Sequence, residues 1–117
     1  METPKKIVAV VGSRGIHSCA ALARRLGELA PDQVVSGGAA GVDGLAAAWA
    51  RTNGVPLLEL RPDYAAYGAG ATHIRNTQIV KRASLVLVVW DGTSKGTRSS
   101  LRAAERLGRP CELLPLD

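Results

Sequence analysis

Apolar and polar positions along this 117-residue chain switch repeatedly between two periods. Residues 5–11 and 85–90 are near-continuous apolar runs, the pattern of strands covered on both faces. Shorter runs at 33–36, 55–60 and 111–116 predict three further strands. Between them the period becomes helical. Cys19, Leu22, Leu26 and Leu29 share one face over 18–29, and Val42, Leu45, Ala46 and Trp49 share one over 42–53. Helices are also predicted over 72–82 and 96–107, the latter with Thr97, Leu101 and Ala104 inward; Gly54 and Gly108 are stop signals. Residues 63–71 show no period and read as a loop over the ligand edge, the best candidate for a mobile segment.

Strand and helix alternate with short links, which predicts one α/β domain over 1–117. Its expected form is a Rossmann-like three-layer domain with a parallel sheet of about five strands and helices on both faces. Ligands of such sheets bind beyond the carboxyl ends of the strands, near the switch in strand order. Three glycine-containing loops fall there: Gly12-Ser13-Arg14-Gly15, then Ser36-Gly37-Gly38-Ala39-Ala40-Gly41-Val42-Asp43, then 91–97. Glycines let the main chain approach a ligand closely, and free N–H groups at a helix start attract an anion. The pattern points to phosphate.

Composition narrows the ligand class. Apolar residues make up 46% of the chain and no run approaches the roughly 20 residues that span a bilayer, so no membrane role is expected. The start of the chain runs into a strand without a leader-like apolar segment, and Cys19 and Cys111 lie far apart, which predicts a reduced, cytoplasmic protein. Neither cysteine has metal-like spacing with His17 or His73; no metal and no cofactor are expected. Eleven arginines and four lysines against ten acids give a net charge of +5. Most cations fall on outer helix faces, so the loop edge is only mildly basic and suits a small anionic ligand. With four aromatic residues there is no platform for stacking several bases, and Trp90 reads as core.

The loops do not match the common nucleotide signatures. The first lacks Gly-x-Gly-x-x-Gly spacing and the second strand ends in Ser36-Gly37-Gly38 rather than an acid, against a dinucleotide dehydrogenase. Lys95-Gly96-Thr97 reverses the order of a Walker A loop.

Nearly the whole chain resembles the SLOG superfamily of Rossmann-like domains, which includes the DNA-processing Smf/DprA proteins and the LOG phosphoribohydrolases. The resemblance rests on Val11-Gly12-Ser13-Arg14, on Ser36 through Asp43, on Ile74-Arg75-Asn76 and on Ser94-Lys95-Gly96-Thr97. It is strongest to the small stand-alone branch related to YspA and YpsA, which implies binding of a nucleotide or nucleotide-derived ligand and a homodimer. The LOG resemblance implies an alternative, N-glycoside hydrolysis of a nucleoside 5′-monophosphate. His73-Ile74-Arg75 and Gly96-Thr97 match that pattern, but Ser100 stands where the LOG glutamate belongs. Catalytic residues are therefore unassigned, with Asp43 and Asp91 as candidates. The DprA resemblance implies a third reading, weak single-stranded DNA binding, carried by Ser36 to Asp43, Arg75 and Asn76.

Phosphate is expected on the N–H groups of Gly37, Gly38, Ala39 and Gly41, with hydroxyls from Ser13 and Ser36 and forked bonds from Arg14 and Arg75. Arg14 and Arg75 could instead pair with Asp43 or Asp91. Asp43 has two open readings, accepting N–H bonds within its loop or binding a ribose hydroxyl. Asn76 is a base or ribose reader, or a helix cap. Gly12, Val42, Asp91, Ser94, Gly96 and Thr97 complete the expected walls, Thr97 either bonding phosphate or capping the last helix. His17 reads as a surface or capping residue close to the first loop.

Overall fold

The computed structural model describes residues 5–117; the sequence reading of positions 1–4 lies outside them. The chain runs β1 (Ile7–Gly12), α1 (Ala20–Leu29), β2 (Gln33–Ser36), α2 (Val42–Thr52), β3 (Leu57–Glu59), α3 (Tyr64–Tyr67), a 3-10 turn (Gly68–Gly70), α4 (Ala71–Arg82), β4 (Leu85–Val89), α5 (Lys95–Leu107) and β5 (Cys111–Leu113). All five strands pair in parallel, in the order β3-β2-β1-β4-β5. The fold is thus the expected α/β Rossmann-like sheet. Strand order reverses between β1 and β4, where Gly12 pairs with Val89, and that crevice is where such sheets hold ligands.

Alternation along the central strands builds two cores. Val8 and Val10 of β1 join Leu87 and Val89 of β4, Leu22 and Leu26 of α1, and Val42 and Ala46 of α2 on one face. Ala9 and Val11 join Val86 and Val88 with Ile79 and Val80 of α4 and Ala103 and Ala104 of α5 on the other. This period-2 sorting explains why β1 and β4 read as unbroken apolar runs. Each fully buried Leu contributes on the order of 1.5–3 kcal/mol.

Boundaries differ from the sequence reading where caps decide. Cys19 is the extended N-cap residue of α1 and Gly108, at φ 66, ends α5 in the left-handed region. Trp90 falls just after β4 rather than within it, half-buried against the second core. Residues 63–70 are not an irregular loop. The Asp63 carboxylate accepts the Ala66 N–H at 3.0 Å and starts the single turn of α3. No helix among the described residues is long and apolar enough to cross a membrane. Cys19 and Cys111 are both free thiols.

Candidate functional site

The first loop is the joint of the site. A Cβ on Gly12 would fall on the Val89 carbonyl oxygen and 2.6 Å from Val42 Cγ2, so only glycine lets β1 end so close to β4 and α2. Ser13 then donates its N–H to the Val89 carbonyl (3.0 Å) and accepts the Val42 N–H on its own carbonyl (3.2 Å). Its hydroxyl accepts the Asp91 N–H at 3.0 Å and also favours the charged Asp91 carboxylate. Ser13, almost fully buried, therefore fastens the three loops together rather than supplying a hydroxyl to the cavity. Gly41, at φ 72, packs so closely that a Cβ would sit 2.5 Å from the Ser13 carbonyl oxygen.

The second loop holds its own carboxylate. Asp43, in the first turn of α2, accepts the Ala39 N–H at 3.1 Å, and the Gly37 amide also favours its charged form. Of the two sequence readings of Asp43, bonding within its loop is thus present. The Ala39 N–H expected for phosphate is occupied. Arg75 of α4 lies across Gly37 from Asp43. Its Nη1 donates to the carbonyls of Gly37 (2.9 Å) and Leu60 (3.2 Å), and its Nε to Asn76 Oδ1 (2.9 Å). Among the described residues Nη2 has no hydrogen-bond partner and neither Arg75 nor Arg14 forms an ion pair. Asp43, Arg75 and Asn76 are 9%, 8% and 5% exposed. Burial pushes the Asp43 carboxyl above its ordinary range, outweighing its hydrogen bonds and the attraction of Arg75; burial likewise lowers the Arg75 guanidinium, against the pull of Asp43.

The third wall is the start of α5. Asp91 Oδ1 accepts the N–H groups of Thr93 (2.8 Å) and Ser94 (2.9 Å) and the Thr93 hydroxyl (3.1 Å), which holds the carboxyl below its ordinary range. Ser94 caps α5, its hydroxyl accepting the Thr97 N–H at 3.4 Å and meeting the Thr97 hydroxyl at 3.0 Å. Thr97 is thus held by the cap residue. The Trp90 indole N–H donates to the Ser94 carbonyl (3.1 Å), and Asn76 Nδ2 reaches the Gly96 carbonyl (3.4 Å), tying α4 to this turn. The first N–H groups of the thirteen-residue α5 have no intrahelical acceptor, and its dipole adds positive potential there.

These walls enclose a cavity of about 380 Å³. Of the residues expected from sequence, Gly12, Arg14, Gly37, Ala39, Asp43, Arg75, Asn76, Asp91, Ser94, Gly96 and Thr97 line it. Ser13, Ser36, Gly38, Gly41 and Val42 do not. Ser36 is fully buried with its hydroxyl unpartnered. Two residues after Val34, it shares the side of β2 facing α1 and α2, away from the cavity. Val42 is core. Arg14 lines the cavity, exposed. The sequence reading omitted Thr72 and Ile79, which share the Arg75 face of α4. Ser100, at the LOG glutamate position, also lines the cavity, its buried hydroxyl donating to the Gly96 carbonyl at 3.3 Å. His17 is exposed and outside the lining. Among the described residues no group of three or more His, Cys, Asp or Glu side chains is arranged to hold a metal ion.

Residues 6–67, just over half of the chain, match the family described as YAcAr: YspA, cpYpsA-related SLOG family. No curated protein matches. Three solved structures share the fold. TM1055, a structural genomics target, has a TM-score of 0.71 at 24% identity, over 91% of this chain and 72% of its own. DNA processing protein A from Helicobacter pylori, which binds single-stranded DNA, has 0.73 at 23%, over 97% and 66%. DNA processing protein A (DprA) from Streptococcus pneumoniae has 0.70 at 22%, over 97% and 51%. The chain thus spans about two thirds of the first DNA processing protein and half of the second.

Proposed function

The chain belongs to the YspA, cpYpsA-related SLOG family, and from that membership and the geometry of its cavity we propose that it binds a nucleotide or nucleotide-derived ligand at the carboxyl edge of the sheet. One observation carries the reading: at the switch point between β1 and β4, two guanidinium groups with no ion pair among the described residues, Arg14 and Arg75, border a cavity of about 380 Å³. That size is within the roughly 300–1,000 Å³ of small-molecule sites. Arginine forks suit phosphate oxygens.

The internal carboxylate sets the orientation. Asp43 takes the Ala39 N–H of the second loop, so the phosphate is assigned to the other wall, on Arg14 and on the Lys95 and Gly96 N–H groups of α5, which neither Asp91 nor the Ser94 cap occupies among the described residues. The ribose hydroxyls then face Asp43 and Asn76. This keeps the two sequence readings of Asp43 compatible, one carboxylate oxygen for the loop and one for the ligand.

Binding rather than N-glycoside hydrolysis is favoured. Ser100 is neutral and engaged with Gly96, and the carboxylates at the cavity, Asp43 and Asp91, each hold a loop by hydrogen bonds. A thermal-shift series with nucleoside 5′-monophosphates and the matching nucleosides tests the reading. At a hundred times its dissociation constant a ligand stabilises by about 2.7 kcal/mol. Monophosphates are expected to raise the melting temperature, nucleosides far less, with no free base released on prolonged incubation. No shift with any phosphate-bearing nucleotide would overturn it.

A further inference from the structure

We propose that the outer groove between α4 and α5 is a second binding surface, separate from the cavity, which takes the sugar–phosphate backbone of a single-stranded nucleic acid. Lys95, Arg98, Arg102 and Arg106 recur at three- and four-residue spacing on α5, which aligns them in one stripe. All four line a groove of about 540 Å³. At 1.5 Å per residue the stripe is about 16 Å long.

Among the described residues no carboxylate compensates the charge in this groove. The ion pairs among the described residues are Arg25–Glu112, Arg51–Glu59 and Arg61–Glu59, none of them here. α4 carries no acid and α5 only Glu105, which does not line the groove. Arg98 lies over the Trp90 ring, 5.9 Å from its centroid, and Arg106 donates to the Thr77 hydroxyl at 3.4 Å, so two of the guanidiniums are oriented while their charge is not neutralised. At the other end His73 Nδ1 and Ser99 Oγ are 2.8 Å apart. Their chain neighbours Thr72 and Ser100 line the cavity, so the groove begins at its rim.

The lining selects among polyanions. No purely apolar side chain lines the groove, so an acidic peptide would find no anchor pocket of the kind that dominates protein interfaces. Regularly spaced arginine forks match a regularly spaced phosphate chain. A groove between two packed helices admits one strand. Contacts made to the sugar–phosphate backbone carry no sequence information, so binding is expected to be sequence-independent and salt-sensitive.

The test is fluorescence anisotropy of labelled oligo(dT) against salt, with the intact protein, Arg102→Ala/Arg106→Ala and the charge-preserving Arg102→Lys/Arg106→Lys. Four phosphate contacts predict a log–log slope of about −2.8. Removing two is expected to flatten it by about 1.4 and weaken binding roughly tenfold or more, with the lysine pair largely retaining the slope. Polyglutamate of matched length is expected to compete poorly. An unchanged slope in the alanine pair would overturn the proposal, as would polyglutamate competing as well as DNA or duplex binding as tightly as single strand. The groove stands on α4 and α5 alone: oligo(dT) binding without any mononucleotide shift would leave it intact while removing the cavity reading.

Discussion

Arg75 and Gly37 meet across the second loop: Nη1 donates to the Gly37 carbonyl at 2.9 Å, and a Cβ on Gly37 would lie 2.6 Å from that same nitrogen and 3.0 Å from Asp43 Oδ2. The missing side chain is the space that lets a buried guanidinium and a buried carboxylate share one loop. Gly37→Ala must displace Arg75, at a cost expected to be about 1–3 kcal/mol. Gly44, inside α2 with nothing within 4 Å of its Cβ position, is the control; Gly44→Ala is expected to stabilise by about 0.5–1 kcal/mol. Urea midpoints of the two variants check both signs, and only Gly37→Ala is expected to weaken nucleotide binding.

Asp43 is held at the expense of stability. Its folded carboxyl lies above its ordinary value of 3.8, chiefly through burial, so the folded state keeps the proton more tightly than the unfolded chain. Its contribution is therefore full below 3.8 and lost as pH rises through the folded value. Asp43→Asn keeps an oxygen for the Ala39 N–H without the charge. Its unfolding free energy is expected to lack that loss on the alkaline side, matching or exceeding the wild type near neutrality, while nucleotide affinity falls. Chemical denaturation across acid to neutral pH checks the sign.

Asp91 has the opposite sign. Hydrogen bonds from Thr93 and Ser94 hold it below 3.8, so its contribution is present above that value and lost as pH falls through the lower folded value. Asp91→Ala frees the turn that starts α5. It is expected to lower the melting temperature at neutral pH, with the difference shrinking in acid, and to weaken phosphate binding through the loosened α5 N-terminus. A melting series over the same pH range measures it.

The parallel sheet, its layers and four of the helices were legible in the alternation of apolar periods, because β1 and β4 bury both faces and α1 and α2 carry repeating apolar stripes; the strand order was not, since apolar periods do not say which strands are neighbours. The short α3 was not, since a single turn has no period to detect; its one signal was Asp63 as a cap. In the site, glycines marked the right loops but not the direction of each side chain. Ser36 was assigned to the cavity although period-2 alternation from Val34 already places it toward α1 and α2. Thr72 and Ile79 could have been found from Arg75, since spacings of three and four put them on its face of α4. That Asp43 would occupy Ala39 depended on the closed geometry of one loop, which residue types alone do not fix.

Arg14 separates binding from folding most cleanly, being exposed at the cavity with no ion pair among the described residues. Arg14→Ala is expected to change stability by no more than about 0.5 kcal/mol. Loss of a charge-assisted bond of about 1.5–3 kcal/mol lowers affinity for a bound phosphate roughly 10- to 150-fold.

Isothermal titration of nucleoside 5′-monophosphates and their nucleosides into the wild type and Arg14→Ala tests the central claim directly. The account predicts saturable binding of a monophosphate to the wild type, much weaker binding of its nucleoside, and loss of that difference in Arg14→Ala. Equal affinity for monophosphate and nucleoside, or monophosphate binding untouched by Arg14→Ala, would contradict it.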